Sequence, residues 1–207
     1  MGITASRSCA NAESMWTRSR GRSFRKTQRT KSSGVRRMVK TRLFWIDGLK
    51  KGRLAISARP CGGEQLPDEI EGWQQSGVQA VCSLLREDEI TQLGLTEEKN
   101  ICNAHGIEFE SFPISDRGVP ESSVALRKLI RQAEAWLADG KSVLIHCRIG
   151  IGRSALVAAL VLATLGVDIS TAFEHISKAR TCPVPDTAEQ RQWAIRFAQD
   201  MLSVSGH

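Results

Sequence analysis

The chain has 207 residues, a net charge of +7 and a pI near 9.4, and its length predicts one domain with an appendage. The charge is unevenly placed: residues 1–42 hold 12 Lys and Arg and one acid, Glu13, for a net of +11, and the remainder carries −4. The basic pI is therefore no argument for a nucleic-acid-binding domain, and the longest apolar run, Ala155–Val167 with 13 residues, is too short to span a bilayer.

Residues 1–42 have few apolar side chains and no periodicity, so they read as a disordered basic extension ahead of a domain over 43–207. Three uses compete for that extension. It is a nucleic-acid or membrane-surface arm, an Arg- and Ser-rich organellar transit peptide over 1–37, or a stretch upstream of a true start at Met38. The last is favoured, because Met38 falls just before the first strand-like run.

From residue 43 onward strand-like and helix-like segments alternate. Leu43–Ile46 and Leu54–Ala58 read as short strands, and Pro67–Ser76 as a helix closed by Gly77. Val78–Leu85 is apolar enough for a strand covered on both faces. Helical pieces over Glu87–Leu93 and Thr96–Ala104 precede a strand over Ile107–Pro113. Pro120 suits the first position of a long helix ending at Gly140, with Leu126, Leu129, Ile130, Ala133 and Leu137 on one face. A strand over 142–147 is followed by helices over Ser154–Leu165, Ser170–Ala179 and Thr187–Leu202. This alternation predicts an α/β fold with a mostly parallel central sheet flanked by helices.

Six cysteines (Cys9, Cys61, Cys82, Cys102, Cys147 and Cys182) and no secretory apolar region point to a reducing, cytoplasmic setting with free thiols. No CxxC spacing occurs, so a metal site is not expected.

Chemistry concentrates where the strand over 142–147 ends. His146-Cys147-Arg148-Ile149-Gly150-Ile151-Gly152-Arg153-Ser154 sets a thiol and a guanidinium six positions apart across a glycine-bearing loop that opens a helix. Unpaired N–H groups of the first helical turn and the positive end of the helix dipole favour a thiolate and an oxyanion there. The guanidinium adds a planar, two-pronged partner for phosphoryl oxygens. Free cysteine is commonly a buried core residue, but a core strand has no use for the two glycines and Arg153. The expected chemistry is thiolate attack on a phosphate ester.

Such an attack needs an acid for the departing oxygen. Asp116, in Phe112-Pro113-Ile114-Ser115-Asp116-Arg117-Gly118-Val119-Pro120, follows a strand that ends at the same sheet edge. On residue chemistry alone, an acid and a helix cap or turn former are equally good readings of it.

The loop resembles the His-Cys-x5-Arg-Ser signature of cysteine-dependent phosphatases at every fixed position. Segments 66–85 and 107–120 extend the resemblance to bacterial dual-specificity-like phosphatases and to the group containing the cyclin-dependent kinase inhibitor 3 phosphatase. The resemblance implies that Cys147 is the nucleophile and forms a cysteinyl phosphate. Arg153 then clamps the phosphoryl group, and the amides of Arg148, Ile149, Gly150, Ile151, Gly152 and Arg153 cradle it. Ser154 hydrogen-bonds the sulfur, His146 orders the loop, and Asp116 is acid and then base. Gln190 is implied as a water-positioning residue, with an exposed helix glutamine an equal reading and Gln192 a competitor. Cys102 is a candidate redox partner of Cys147, with Cys82 on the expected central strand also within reach, although an inert buried thiol is the better reading. No cofactor and no metal are implied, and the expected partner is a phosphorylated protein. A phosphoinositide or RNA 5′-phosphate substrate and a phosphate-binding pseudo-enzyme are the alternatives.

Overall fold

The computed structural model describes residues 41–204. Most of the basic extension, residues 1–40, lies outside the described residues. Thr41 and Arg42 are held against the domain: the Thr41 N–H donates to Glu69 Oε2 at 2.9 Å, and the Arg42 guanidinium lies over the Phe44 ring.

The described elements are β1 Phe44–Ile46, β2 Arg53–Ala58, α1 Leu66–Gln75, β3 Ala80–Ser83, α2 Glu87–Gln92 and α3 Glu98–Ala104. They continue with β4 Glu108–Ser111, α4 Ser123–Ala138, β5 Ser142–Cys147, α5 Arg153–Thr164, α6 Ile169–Arg180 and α7 Ala188–Val204. The sheet order is β1-β2-β5-β3-β4, with β1 antiparallel to β2 and every other pair parallel. The expected α/β architecture is thus present, with a single antiparallel edge strand.

Each parallel step is bridged by helix, and the helices divide between the two faces. Val143, Ile145 and Cys147 of β5 face one core layer, which is completed by α4, α5, α6 and α7. Leu144 faces the other, where Leu66, Ile70 and Trp73 of α1 and Cys102 of α3 pack. Central β5 is buried along its whole length, which explains its unalternating apolar sequence. The apolar run that follows it is α5, buried from Arg153 to Ala163 among β2, α4, α6 and α7. No helix among the described residues is long and apolar enough to cross a membrane.

Two element boundaries differ from the sequence reading in an instructive way. Pro120 does not open α4; Ser122 does, with extended backbone and an Oγ that accepts the Ala125 N–H at 3.2 Å. A hydroxyl that satisfies an orphan N–H outcompetes a proline that only fixes φ. The strand expected over Val78–Leu85 shortens to Ala80–Ser83 because β4 offers only four partners, from Glu108 opposite Ala80 to Ser111 opposite Ser83.

Candidate functional site

Because β5, β3 and β4 are adjacent and parallel, the segments leaving their carboxyl ends share one edge of the sheet. β5 delivers Cys147 and the loop 148–152. β3 delivers α2, and β4 delivers the Asp116 loop.

The 148–152 loop turns tightly against β2. Gly150 has φ +71°, and a Cβ there would lie 2.4 Å from the Ser57 carbonyl carbon, so only glycine fits. Arg180 of α6 fastens the loop from outside, donating Nε–H to the Gly150 carbonyl at 3.0 Å and Nη2–H to that of Ile149 at 3.2 Å. With those two carbonyls drawn outward, the Gly150 N–H turns inward and donates to Cys147 Sγ at 3.3 Å. Ser154 Oγ stands 3.5 Å from the same sulfur. Cys147 is buried, whereas Arg148 and Ile149 face outward at the rim.

Arg153, 1 % exposed, opens α5 and reaches back beneath the loop. Its two terminal nitrogens fork onto Glu89, Nη1 to Oε2 at 2.6 Å and Nη2 to Oε1 at 2.9 Å. Nη1 also donates to the Ile114 carbonyl at 3.0 Å, and Nη2 to Asp116 Oδ1 at 2.9 Å. Burial works against the arginine's charge. The Glu89 hydrogen bond and the nearby Cys147, Glu89 and Asp116 outweigh it and hold the guanidinium above its ordinary pKa. Burial likewise opposes ionisation of Glu89, but the Arg153 and Arg86 hydrogen bonds keep that carboxyl below its ordinary value.

Glu89 was not among the sequence candidates. It sits in the acidic first turn Glu87-Asp88-Glu89, where three acids at a helix start read as helix-end charges, and it does accept the Arg86 N–H at 3.1 Å. Burial singles it out, and burial comes with its seat against Arg153 at the start of α5, a long-range contact that the local sequence does not encode.

The structure brings Asp116 to the site and removes the helix-cap reading, since the cap of α4 is Ser122, while the turn-former reading stands, because Asp116 lies within the turn from Ser115 to Gly118. Its side chain is 60 % exposed, so it borders the site from the solvent side. Arg117 takes up left-handed φ of 58°, and the Gly118 N–H closes the turn on the Ser115 carbonyl at 2.9 Å. Gln190, in the first turn of α7, is fully buried and donates Nε2–H to the Gly118 carbonyl at 2.9 Å. Its Oε1 has no hydrogen-bond partner among the described residues and lies 3.0 Å from where a Gly152 Cβ would stand. Gln192 is exposed. Gln190 therefore lies between the Asp116 loop and the 148–152 loop, and the exposed-glutamine reading does not hold for it.

His146 points away from the sulfur, into the α1/α3 layer. There its Nε2 lies 2.9 Å from Oε1 of Glu98, both residues being buried. Glu98 is the second carboxylate that sequence reasoning missed. Cys102 occupies the same layer, on the opposite face of the sheet from Cys147. Burial, and then the charge of Glu98, push its thiol up to about 12. Cys82 is likewise raised to about 12 by burial. A sheet between Cys102 and Cys147 rules out the redox pairing and leaves Cys102 an inert core thiol. Among the described residues no cluster of three His, Cys, Asp or Glu could hold a metal ion.

A family model described as "Dual specificity phosphatase, catalytic domain" matches residues 72–196. The chain is similar to cyclin-dependent kinase inhibitor 3 of Rattus norvegicus, 29 % identical over 137 residues, covering 65 % of this chain and 64 % of that protein. It thus spans just under two thirds of the length of that relative. Its fold is similar to that of kinase associated phosphatase with the catalytic cysteine substituted by serine, at a TM-score of 0.72 and 21 % identity. That likeness covers 81 % of this chain and 98 % of the other. It is also similar to that of PTPMT1 in complex with PI(5)P, at a TM-score of 0.61 and 21 % identity, over 74 % and 94 % of the two chains.

Proposed function

The chain belongs to the dual-specificity phosphatase family, and from that premise we propose that it hydrolyses phosphomonoesters on protein side chains, phosphotyrosine foremost. The observation that carries this reading is the convergence on one sheet edge of Cys147, with the Gly150 N–H donating at 3.3 Å and the Ser154 hydroxyl 3.5 Å from its sulfur, and of Arg153 with Asp116 at 2.9 Å.

In this reading the Cys147 thiolate attacks phosphorus, an S–P bond forms, and the ester P–O bond breaks as Asp116 gives its proton to the leaving oxygen. Asp116 then takes a proton from water, the water oxygen attacks phosphorus, and inorganic phosphate leaves as the S–P bond breaks. Ser154 Oγ supports the departing sulfur. The loop amides and Arg153 stabilise equatorial charge in a loose transition state, where positioning and electrostatics provide most of the acceleration. Phosphate oxygens take over the Arg153 Nη2–H that Asp116 now accepts, which frees the carboxyl for proton transfer. Gln190 is placed to fix the acid loop and orient water beside Gly152. A cytoplasmic setting suits five free cysteines among the described residues.

A phosphorylated non-protein substrate is the second reading, favoured by the fold's likeness to PTPMT1 in complex with PI(5)P. Against it, the loop positions between Cys147 and Arg153 hold one basic residue, Arg148, and its Nη1 already lies 3.8 Å from Glu89 Oε1. The test compares release of phosphate from phosphotyrosyl peptides and from inositol phosphates by wild type and Cys147→Ser. Turnover of the peptides that vanishes in Cys147→Ser, with peptide binding retained, is expected. A strong preference for inositol phosphates overturns the protein reading, and turnover surviving in Cys147→Ser overturns the mechanism.

A further inference from the structure

Six buried side-chain polar atoms among the described residues have no hydrogen-bond partner, and five of them belong to Trp73, Ser83, Glu98 and His146. These side chains surround one point. The Trp73 and His146 rings are 5.8 Å apart, Ser83 stands beside His146 in the β3–β5 register, and Glu98 reaches His146 from α3. Ser57, the β2 neighbour of His146, turns its hydroxyl to the Ala58 carbonyl and completes the row.

An apolar layer is an expensive place for a carboxylate. Glu98 is 2 % exposed in the layer that holds Trp73, Leu95 and Cys102, and a buried carboxylate is unfavourable there unless it is paired. Its one ion-pair partner is the imidazole immediately before Cys147. The 2.9 Å approach is a close electrostatic contact without hydrogen-bond alignment of the ring N–H. An ionised carboxylate this close to Nε2 favours the tautomer that carries its proton there. Among the described residues, the side chains set beside the ring are Glu98 of α3, Trp73 of α1, Ser83 of β3 and Ser57 of β2, of which Glu98 alone is titratable.

We propose that Glu98 is a positioning residue, fixing His146 as the Nε2–H tautomer and thereby setting the end of β5 from which Cys147 attacks. The mechanical link is short. The His146 carbonyl accepts the Leu84 N–H at 3.0 Å, and the next residue carries the sulfur. This inference rests on Cys147 being the nucleophile, so its test includes a readout that needs no turnover.

The experiment measures p-nitrophenyl phosphate hydrolysis against pH, and Cys147 alkylation by iodoacetate at pH 6, for the full chain and its Glu98→Gln and Glu98→Asp variants. Glu98→Gln is expected to lower kcat about tenfold with KM unchanged, by analogy with the low end of the loss seen when the outer partner of a metal-bound imidazole is removed. It should also slow alkylation several-fold and move the acid limb of the kcat/KM profile upward, while Glu98→Asp restores most of each. Imidazole nitrogen shifts of wild type, which depend on no variant folding, should show His146 protonated at Nε2 with Nδ1 the distinct nitrogen when the ring is neutral. An Nδ1–H tautomer overturns the proposal, as does a Glu98→Gln chain that loses thermal stability alone with its pH profile and alkylation rate intact. Absence of turnover in wild type alongside the expected tautomer and alkylation rates overturns the phosphatase reading instead.

Discussion

Arg153 is claimed by two carboxylates of unequal character. Glu89 is buried and forks onto both terminal nitrogens, whereas Asp116 is exposed and touches one. That inequality separates their jobs: Glu89 sets the plane of the guanidinium, and Asp116 is free to exchange its contact for proton transfer. Removing one member of a buried pair leaves the other charge uncompensated, typically at 3–5 kcal/mol. Because Asp116 remains beside Arg153, Glu89→Gln should cost about 3 kcal/mol, the low end of that range, in urea unfolding. The pH dependence follows from the depressed Glu89 pKa. A carboxyl held below its unfolded value of 4.5 stabilises the fold above that pH and loses the contribution as pH falls through the lower folded value. Melting temperature should therefore drop more steeply below pH 4.5 in wild type than in Glu89→Gln, and parallel curves would contradict the assignment. Neither Glu89 nor Glu98 is legible as a site residue in the sequence. Each is one acid among others at a helix start, and only the tertiary fold carries Glu89 to Arg153 and Glu98 to His146.

At the scale of elements, the signature strand, loop and helix were legible because local rules agree there: an unalternating apolar strand, glycine at the one position with positive φ, and an uninterrupted apolar helix. The Asp116 loop was harder, since Pro120, Ser122 and Asp116 all advertise a helix start within seven residues. The hydrogen bond from the Ala125 N–H to Ser122 Oγ decides that contest, so Asp116 is not the cap of α4. Ser122→Ala should accordingly destabilise the fold by about 1 kcal/mol while leaving kcat/KM for p-nitrophenyl phosphate within a factor of two. The cap faces α4's first turn, whereas the site hangs on Gln190 and Arg153. Chemical denaturation read beside activity separates the two effects, and a large loss of activity at full stability would show that the cap also sets the acid loop.

For the whole molecule, charge is partitioned between a segment of +11 over residues 1–42 and a remainder of −4. The sheet, both core layers and every candidate site residue fall within residues 41–204. Chemistry should therefore survive loss of the segment, and a chain beginning at Thr41 is expected to keep the wild-type kcat. Attraction of an anionic substrate is another matter. A dense cationic segment raises the local concentration of acidic phosphopeptides at low ionic strength, and salt near 0.1 M screens it over about 10 Å. The full chain should show a KM for an acidic phosphopeptide that rises with added salt, and the shortened chain a higher KM at low salt that barely responds. Steady-state kinetics across a salt series test this directly. Identical salt dependence in the two chains would remove the segment from substrate capture, and a collapse of kcat on shortening would make it part of the catalytic unit.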